Sequence, residues 1–418
     1  MNKTLIATLA AGSLALGAGA AMAQDDTIKV GVLATLEGTY TVLGEEGVKG
    51  FKTALAEAGE TGGGKKIEYI VVSSDASPDS AIRGARKLVE QDEVDILVGP
   101  LSGSEGIALR DYSKTQTQVT FINGISGAQE TTYVTPSENF FRFNMDGAQW
   151  SVGLGDYVFN EKGYKTVATV GEDYSFVYTQ LMGFIVDYCG AGGEITERFW
   201  VPLGTKDFGS IIAALPDDVD AIYLGLGGGD AVNFLNQYQQ AGGDAKLIGG
   251  SIMVDGTVLN SKGRAKEALV GVPSSGPQAD TWENAAWKTF VESYKNVNGD
   301  DAFPVPSMLA TGYYNATKAM LTALDAVGGD LSDGHAKFRE TLTSLELAAP
   351  NGSIKLDENR QAIGTNFVNE VVELDDGSLA TQMVAMTENV NQTLGLDPAV
   401  YASFGAPSRE TPECKSSY

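Results

Sequence analysis

The sequence predicts an α/β protein of two Rossmann-like lobes, each built on a parallel sheet. Three observations carry that expectation. Short β-branched runs alternate with amphipathic helices from Thr27 onward, and the alternation begins afresh after Met145. The chain also has 418 residues, more than one hydrophobic core ordinarily serves.

In the first series, Ile28–Ala34 is short, apolar and β-branched, as a buried strand requires. Gly44–Ala58 places Val48, Phe51 and Leu55 at helical spacing. Ile67–Val72 is the next strand, and Pro78 opens a helix through Val89, where its missing N–H costs nothing. Strand Ile96–Val98, helix Gly106–Tyr112 and strand Val119–Ile122 complete the series. The second series places helices at Trp150–Phe159, Phe176–Cys189, Phe208–Leu215 and Ala231–Gln240. Its strands are Thr166–Val170, Glu194–Trp200, Ala221–Leu226 and Lys246–Gly250. Alternation of this kind produces right-handed βαβ units. Helices at Trp282–Asn296, Ser307–Ala326 and Ala336–Leu345 follow, then strands Gly352–Leu356 and Ala362–Glu373 around the turn Asp357-Glu358-Asn359. Beyond Leu396 there is no periodicity, which predicts an irregular tail.

Met1–Ala23 reads as a cleaved export signal. Lys3 gives a positive start, Leu5–Ala21 carries no charge, and Ala21-Met22-Ala23 supplies the small-x-small cleavage pattern. Its apolar core, Leu5–Leu16, falls short of the roughly 20 residues that span a bilayer. Removing 23 of 418 residues leaves 395 and takes the formal charge from −25 to −26. Such acidity repels phosphate backbones and anionic lipid, so neither nucleic-acid binding nor membrane insertion is expected. Cys189 and Cys414 are the only cysteines. After export they can form one disulfide pinning the tail to a helix; the alternative is two unrelated thiols.

Catalytic patterns are missing. His335 is the only histidine, so neither a histidine-rich metal site nor an ordinary Ser–His–Asp triad can be assembled without it. Its setting, Ser332-Asp333-Gly334, predicts a solvated residue at a helix start. Gly124-Ile125-Ser126-Gly127 misses the nucleophile-elbow pattern by one position. Gly225-Leu226-Gly227-Gly228-Gly229-Asp230 follows a strand, but Asp230 stands where a dinucleotide fingerprint has its third glycine. No cofactor and no metal is therefore expected.

Three strand ends look like a binding site. Leu101, Ser102, Gly103 and Ser104 follow one strand; Asn123, Ile125, Ser126 and Gly127 follow another; Glu172, Tyr174 and Phe176 follow a third. In open parallel sheets, ligands bind beyond the carboxyl ends of the strands. The serines and helix N-termini suit a carboxylate, and Tyr40, Tyr174 and Phe176 suit an apolar body. Taken singly, each serine or glycine is equally an ordinary helix cap.

Ile28-Lys29-Val30-Gly31-Val32, Gly38, Gly44, Leu97-Val98-Gly99-Pro100 before serines, Asp173-x-x-Phe176 and Ala241-Gly242-Gly243 occur in an order that resembles the leucine/isoleucine/valine-type periplasmic binding proteins of ABC importers. The resemblance runs from about Thr27 to Asn391. It implies two lobes joined by three crossings, near Phe143–Asp146, Val272–Pro277 and Pro350–Ser353. Residues 25–144 with 275–349 would form one lobe, 145–274 with 351–396 the other, and 397–418 a tail. It further implies a monomer that closes on a small molecule and delivers it to inner-membrane permease subunits. The implied contacts are Tyr40, Leu101–Ser104, Asn123–Gly127, Phe176, Gly227–Asp230 and Ser251–Met253.

Amino-acid-binding members of that family place hydroxyl residues where this chain has Gly103 and Gly127, and an acid for the ligand ammonium near Ser251. The ammonium partner is then Asp230 or Glu172, or the ligand is an aromatic acid or small amide without an ammonium. A receptor ligand domain and a secreted hydrolase are the competing readings.

Overall fold

The computed structural model describes residues 26–263 and 265–416. The export-signal reading of Met1–Ala23 lies outside the described residues.

The first unit begins with β1 (Thr27–Thr35), α1 (Thr41–Glu57), the short β2 (Thr61–Gly62) and β3 (Lys65–Ser74). It continues with α2 (Pro78–Arg86), β4 (Ile96–Val98), α3 (Gly103–Ser113), β5 (Thr120–Ile122) and β6 (Phe140–Phe141). Its sheet runs β2-β3-β1-β4-β5-β6 and is parallel throughout except for the β2–β3 pairing. Local chemistry explains the helix starts. Ser77 Oγ accepts from Ser80 N while Pro78 occupies the first turn of α2.

The second unit carries α4 (Leu154–Asn160), β7 (Thr166–Glu172), α5 (Ser175–Gly190), β8 (Glu194–Val201), α6 (Gly209–Ala214) and β9 (Ala221–Gly225). α7 (Gly228–Gln240), β10 (Lys246–Gly249), α8 (Gly256–Leu259) and β11 (Pro273–Gly276) follow. The chain then returns to the first unit. α9 (Ala285–Asn298), α10 (Met308–Ala326) and α11 (Ala336–Ser344) belong there, and α10 packs on α1. A Cβ on Gly50 would sit 1.9 Å from the Ala310 carbonyl oxygen, so glycine is what lets these two helices approach. β12 (Leu347–Ala349) then leads the chain back to the second unit, with β13 (Gly352–Leu356), β14 (Ala362–Glu373) and β15 (Leu379–Val390), and the fold closes with α12 (Pro398–Ser403).

The second sheet is only partly parallel. β8, β7, β9, β10 and β11 pair in parallel, but β14 joins β11 antiparallel and carries β15 and β13 antiparallel in turn. β15 was not expected from the sequence: eight of its central residues are exposed, so it lacks a continuous buried face. The expected helix Trp150–Phe159 is broken. One tight turn, Gln149–Ser151, is separated from α4 by Gly153 in the left-handed conformation, φ 86°.

Two further expectations are corrected. The segment beyond Leu396 is packed: Tyr401 and Phe404 are buried against Met182 and Val186 of α5. Its anchors, two aromatics spaced three apart and one cysteine, are too few to register as periodicity. His335 does start α11, but it is 5% exposed and its Nδ1 lies 3.0 Å from Thr120 Oγ1. The polar neighbours that suggested solvation face outward, whereas the ring faces β5. Burial holds it below its ordinary value, at about 4. Cys189 and Cys414 form a disulfide, with Cα atoms 5.4 Å apart.

Candidate functional site

The carboxyl ends of the two sheets face each other, and a cavity closes between them. Tyr40, Leu43, Leu101, Ile125, Met308 and Leu309 supply the first unit's wall. Tyr174, Phe176 and Ile252 supply the second unit's, while Gly127 and Trp150 flank the first crossing. The space left between these walls is ≈ 20 Å³, about what one water needs, so an organic ligand fits there only when the units part or side chains swing aside.

The wall is aromatic by construction. Phe176 stands at the N-terminus of α5 and packs edge-on to Trp150 with ring centroids 5.7 Å apart. A Cβ on Gly103 would come within 2.9 Å of Phe176 Cβ, and one on Gly127 within 2.8 Å of its ring. The two glycines are therefore the counterpart of Phe176, whose side chain fills the space a hydroxyl residue at either position would claim.

Side-chain hydrogen bonds seal the seam between the units beside this wall. Thr39 Oγ1 donates to Asp230 Oδ1 at 2.7 Å, and Ser104 Oγ lies 2.8 Å from Ser175 Oγ. The Tyr40 hydroxyl donates to Glu172 and lies 2.9 Å from the Tyr174 hydroxyl. The other Glu172 oxygen accepts from Gly227 N at 3.2 Å. Burial pushes the Glu172 carboxyl well above the usual carboxylate range, with Tyr40 opposing and Asp230 adding to the shift. Asp230 is raised too, chiefly by burial, and accepts from Gly204 N at 2.7 Å as well as from Thr39.

Other residues proposed from sequence lie close by without reaching the wall. Ser102 Oγ donates to Ala76 O, and Ser126 Oγ donates to Asn123 Oδ1 at 2.6 Å. Asn123 Nδ2 in turn reaches Ser126 O and Asn144 Oδ1. These groups fix the loops on which Leu101, Ile125 and Gly127 sit. Ser251 accepts from Gln180 Nε2 at 2.6 Å and borders a separate small cavity. Met253 is fully buried in the core of the second unit, and its neighbour Ile252 takes the wall position. Of the range Ser251–Met253 that the resemblance implied, the turn Ser251–Val254 thus presents the middle residue.

Sequence reasoning missed Leu43, Trp150, Met308 and Leu309. Ser307, which caps α10 by accepting from Leu309 N and Ala310 N, marked where that helix begins, but not that its first turn enters the cleft. Asp255 on the opposite unit accepts from Met308 N at 2.8 Å and so ties that helix start to the second unit.

An apolar chamber walled by two α/β units, sealed by hydrogen bonds across the seam, defines a two-lobed solute-binding protein. Among the described residues no group of histidines, cysteines and carboxylates could hold a metal, and no helix is long and apolar enough to cross a membrane. A family profile described as "Periplasmic binding protein" matches residues 27–378, and the chain belongs to that family, as a type I member of the Leu/Ile/Val-binding kind and of the ABC-transporter type. The Leu/Ile/Val-binding protein homolog 6 of Brucella melitensis is 26% identical over 387 residues, 90% of this chain and 95% of its own length. Among solved structures, an ABC transporter substrate-binding protein from Sphaerobacter thermophilus aligns with a TM-score of 0.78 at 27% identity, covering 88% of this chain and 99% of that one. A solute-binding protein from Rhodopseudomonas palustris, solved with 3,4-dihydroxybenzoic acid, has the same TM-score and coverage at 28% identity. The leucine-binding protein of Thermotoga maritima, at 21% identity and a TM-score of 0.74 over 86% of this chain and 99% of its own, shares the fold. The family and these neighbours are solute-binding proteins, not enzymes.

Proposed function

We propose that this protein is the periplasmic capture component of a branched-chain-amino-acid-type ABC importer, taking a small carboxylate-bearing ligand, an amino acid or related organic acid, into the cavity between its lobes. The lobes are residues 25–144 with 275–349 and residues 145–274 with 351–396. The carrying observation is the aromatic and aliphatic wall contributed by both units and sealed by the Thr39–Asp230, Ser104–Ser175 and Tyr40–Glu172 contacts. Those contacts exist only when the lobes meet. A ligand that fills the wall shifts the population toward the closed form, which membrane permease subunits then read.

A second reading, an aromatic carboxylic acid or small amide, has its own support. Ser251 offers no charge to an ammonium, the wall holds Tyr174, Phe176 and Trp150, and a relative at 28% identity was solved with 3,4-dihydroxybenzoic acid. Glu172 is the group that separates the two readings. Asp230 is engaged by Thr39 and Gly204, whereas Glu172 has only Tyr40 and one long backbone contact. A thermal-shift panel of leucine, valine, phenylalanine, benzoate, 3,4-dihydroxybenzoate and small amides, followed by calorimetry, is the test. Stabilisation by leucine or valine supports the amino-acid reading, and stabilisation by the aromatic acids alone supports the second. Turnover of a stabilising compound would overturn both.

A further inference from the structure

The segment that follows β15 touches both units beside the cleft. On the first unit, Gln129 Nε2 donates to Tyr401 Oη at 2.6 Å, and Tyr133 packs edge-on to Tyr401 with centroids 5.4 Å apart. Gln129 lies two residues after Gly127, which lines the cavity. On the second unit, Tyr401 and Phe404 bury against α5, and Cys414 is bonded to Cys189 near the end of that helix. Between these anchors, Arg409 reaches the turn between β7 and α5. Its Nε donates to Asp173 Oδ1 at 2.7 Å and its Nη2 to Asp173 Oδ2, a two-pronged contact, while Tyr178 Oη also donates to Asp173. Asp173 sits directly between Glu172 and Tyr174, the two residues that meet Tyr40 across the cleft.

From this arrangement we infer that the C-terminal segment is a brace for the ligand-facing turn, and that Arg409 is a positioning residue for solute capture, acting through Asp173. Arg409 is 59% exposed and Asp173 16%, so the pair adds little to global stability. Its effect is local. The planar guanidinium fixes both carboxylate oxygens, and with them the backbone that aims Glu172 and Tyr174. The disulfide and the buried Tyr401 keep the guanidinium beside its partner, so the pair forms at high effective concentration. The Arg198 Nη2 contact to Pro412 O, 2.6 Å, pins the intervening chain.

The positioning claim is testable without a ligand. In the full-length protein, Arg409→Ala should raise amide exchange over residues 173–178 by up to about five-fold, the upper end of what an exposed ion pair supplies. Exchange in the buried strand Ala221–Gly225 and the melting temperature should stay put, and Arg409→Lys should recover part of the protection. Reducing the disulfide of the wild type should reproduce the exchange change and add nothing further in Arg409→Ala. Unchanged exchange at 173–178, or a rise shared with Ala221–Gly225, overturns the inference. Its bearing on capture rests on the proposed function: the compound the wild type retains from the panel should leave Arg409→Ala several-fold faster, and equal dissociation would reduce the brace to a fastening. If the wild type retains no compound of the panel, the capture reading and with it the role in capture are overturned, while the exchange result still decides whether Arg409 positions the turn.

Discussion

Tyr40→Phe separates closure of the cleft from stability of the fold. Tyr40 is 1% exposed, and its ring stays in the wall when the hydroxyl is removed. What is lost is the donor to Glu172 and the 2.9 Å contact to Tyr174, both of which join one unit to the other. Glu172 would keep only the 3.2 Å contact from Gly227 N. With Glu172 held as the neutral acid in the closed form, this hydrogen bond contributes about 0.5–1.5 kcal/mol, or roughly 2- to 12-fold in the closure equilibrium. Because the ligand is held by the closed form, its dissociation constant should rise by up to that factor. Calorimetry with the ligand found in the panel gives the affinity, small-angle scattering gives the compactness, and thermal unfolding gives the fold. Neither core loses packing, so the melting temperature of the unliganded variant should hardly move. A dissociation constant within two-fold of the wild type would refute the reasoning, as would a full loss of stability with affinity intact.

Three other outcomes are expected. Burial raises the Glu172 carboxyl above the usual range, so closure carries a penalty that is absent below the ordinary carboxylate value and grows as pH rises from there toward the closed-state value. Affinity for an uncharged-amine acid should therefore fall with rising pH in that window, and calorimetry should find the trend abolished in Glu172→Gln. Gly103→Ala places a methyl 2.9 Å from Phe176 Cβ across the seam and should weaken ligand binding about five-fold or more through about 1–3 kcal/mol of overpacking, with little change in unliganded melting; unaltered affinity would count against the seam. His335, held neutral at about 4 against an ordinary 6.5, contributes stability present above pH 6.5 and lost as pH falls toward 4. Melting scans over that range should show His335→Asn losing less than the wild type, since asparagine tolerates the residue's left-handed backbone, φ 68°.

Much of the fold and part of the site were legible in the chain itself. The βαβ alternation of Thr27–Ile122 and Thr166–Gly249, the Pro78 and Ser307 helix starts and the loops after three strands all depend on residues adjacent in sequence. So does the aromatic character of the wall, since Tyr40, Tyr174 and Phe176 stand where the chain leaves an element. Tertiary structure decided the rest. β15 is held by pairing with β14, a choice that no period within Leu379–Val390 encodes. Ser102 and Ser126 spend their hydroxyls on neighbouring loop oxygens, a competition settled only once the loops are folded. Trp150, Ile252 and Leu309 reach the cavity because segments more than fifty residues apart converge there, and His335 and Tyr401 are buried because distant surfaces come down on them. Periodicity reports which residues of one segment share a face. Which other segment covers that face is fixed by contacts between parts of the chain that carry no local trace of one another.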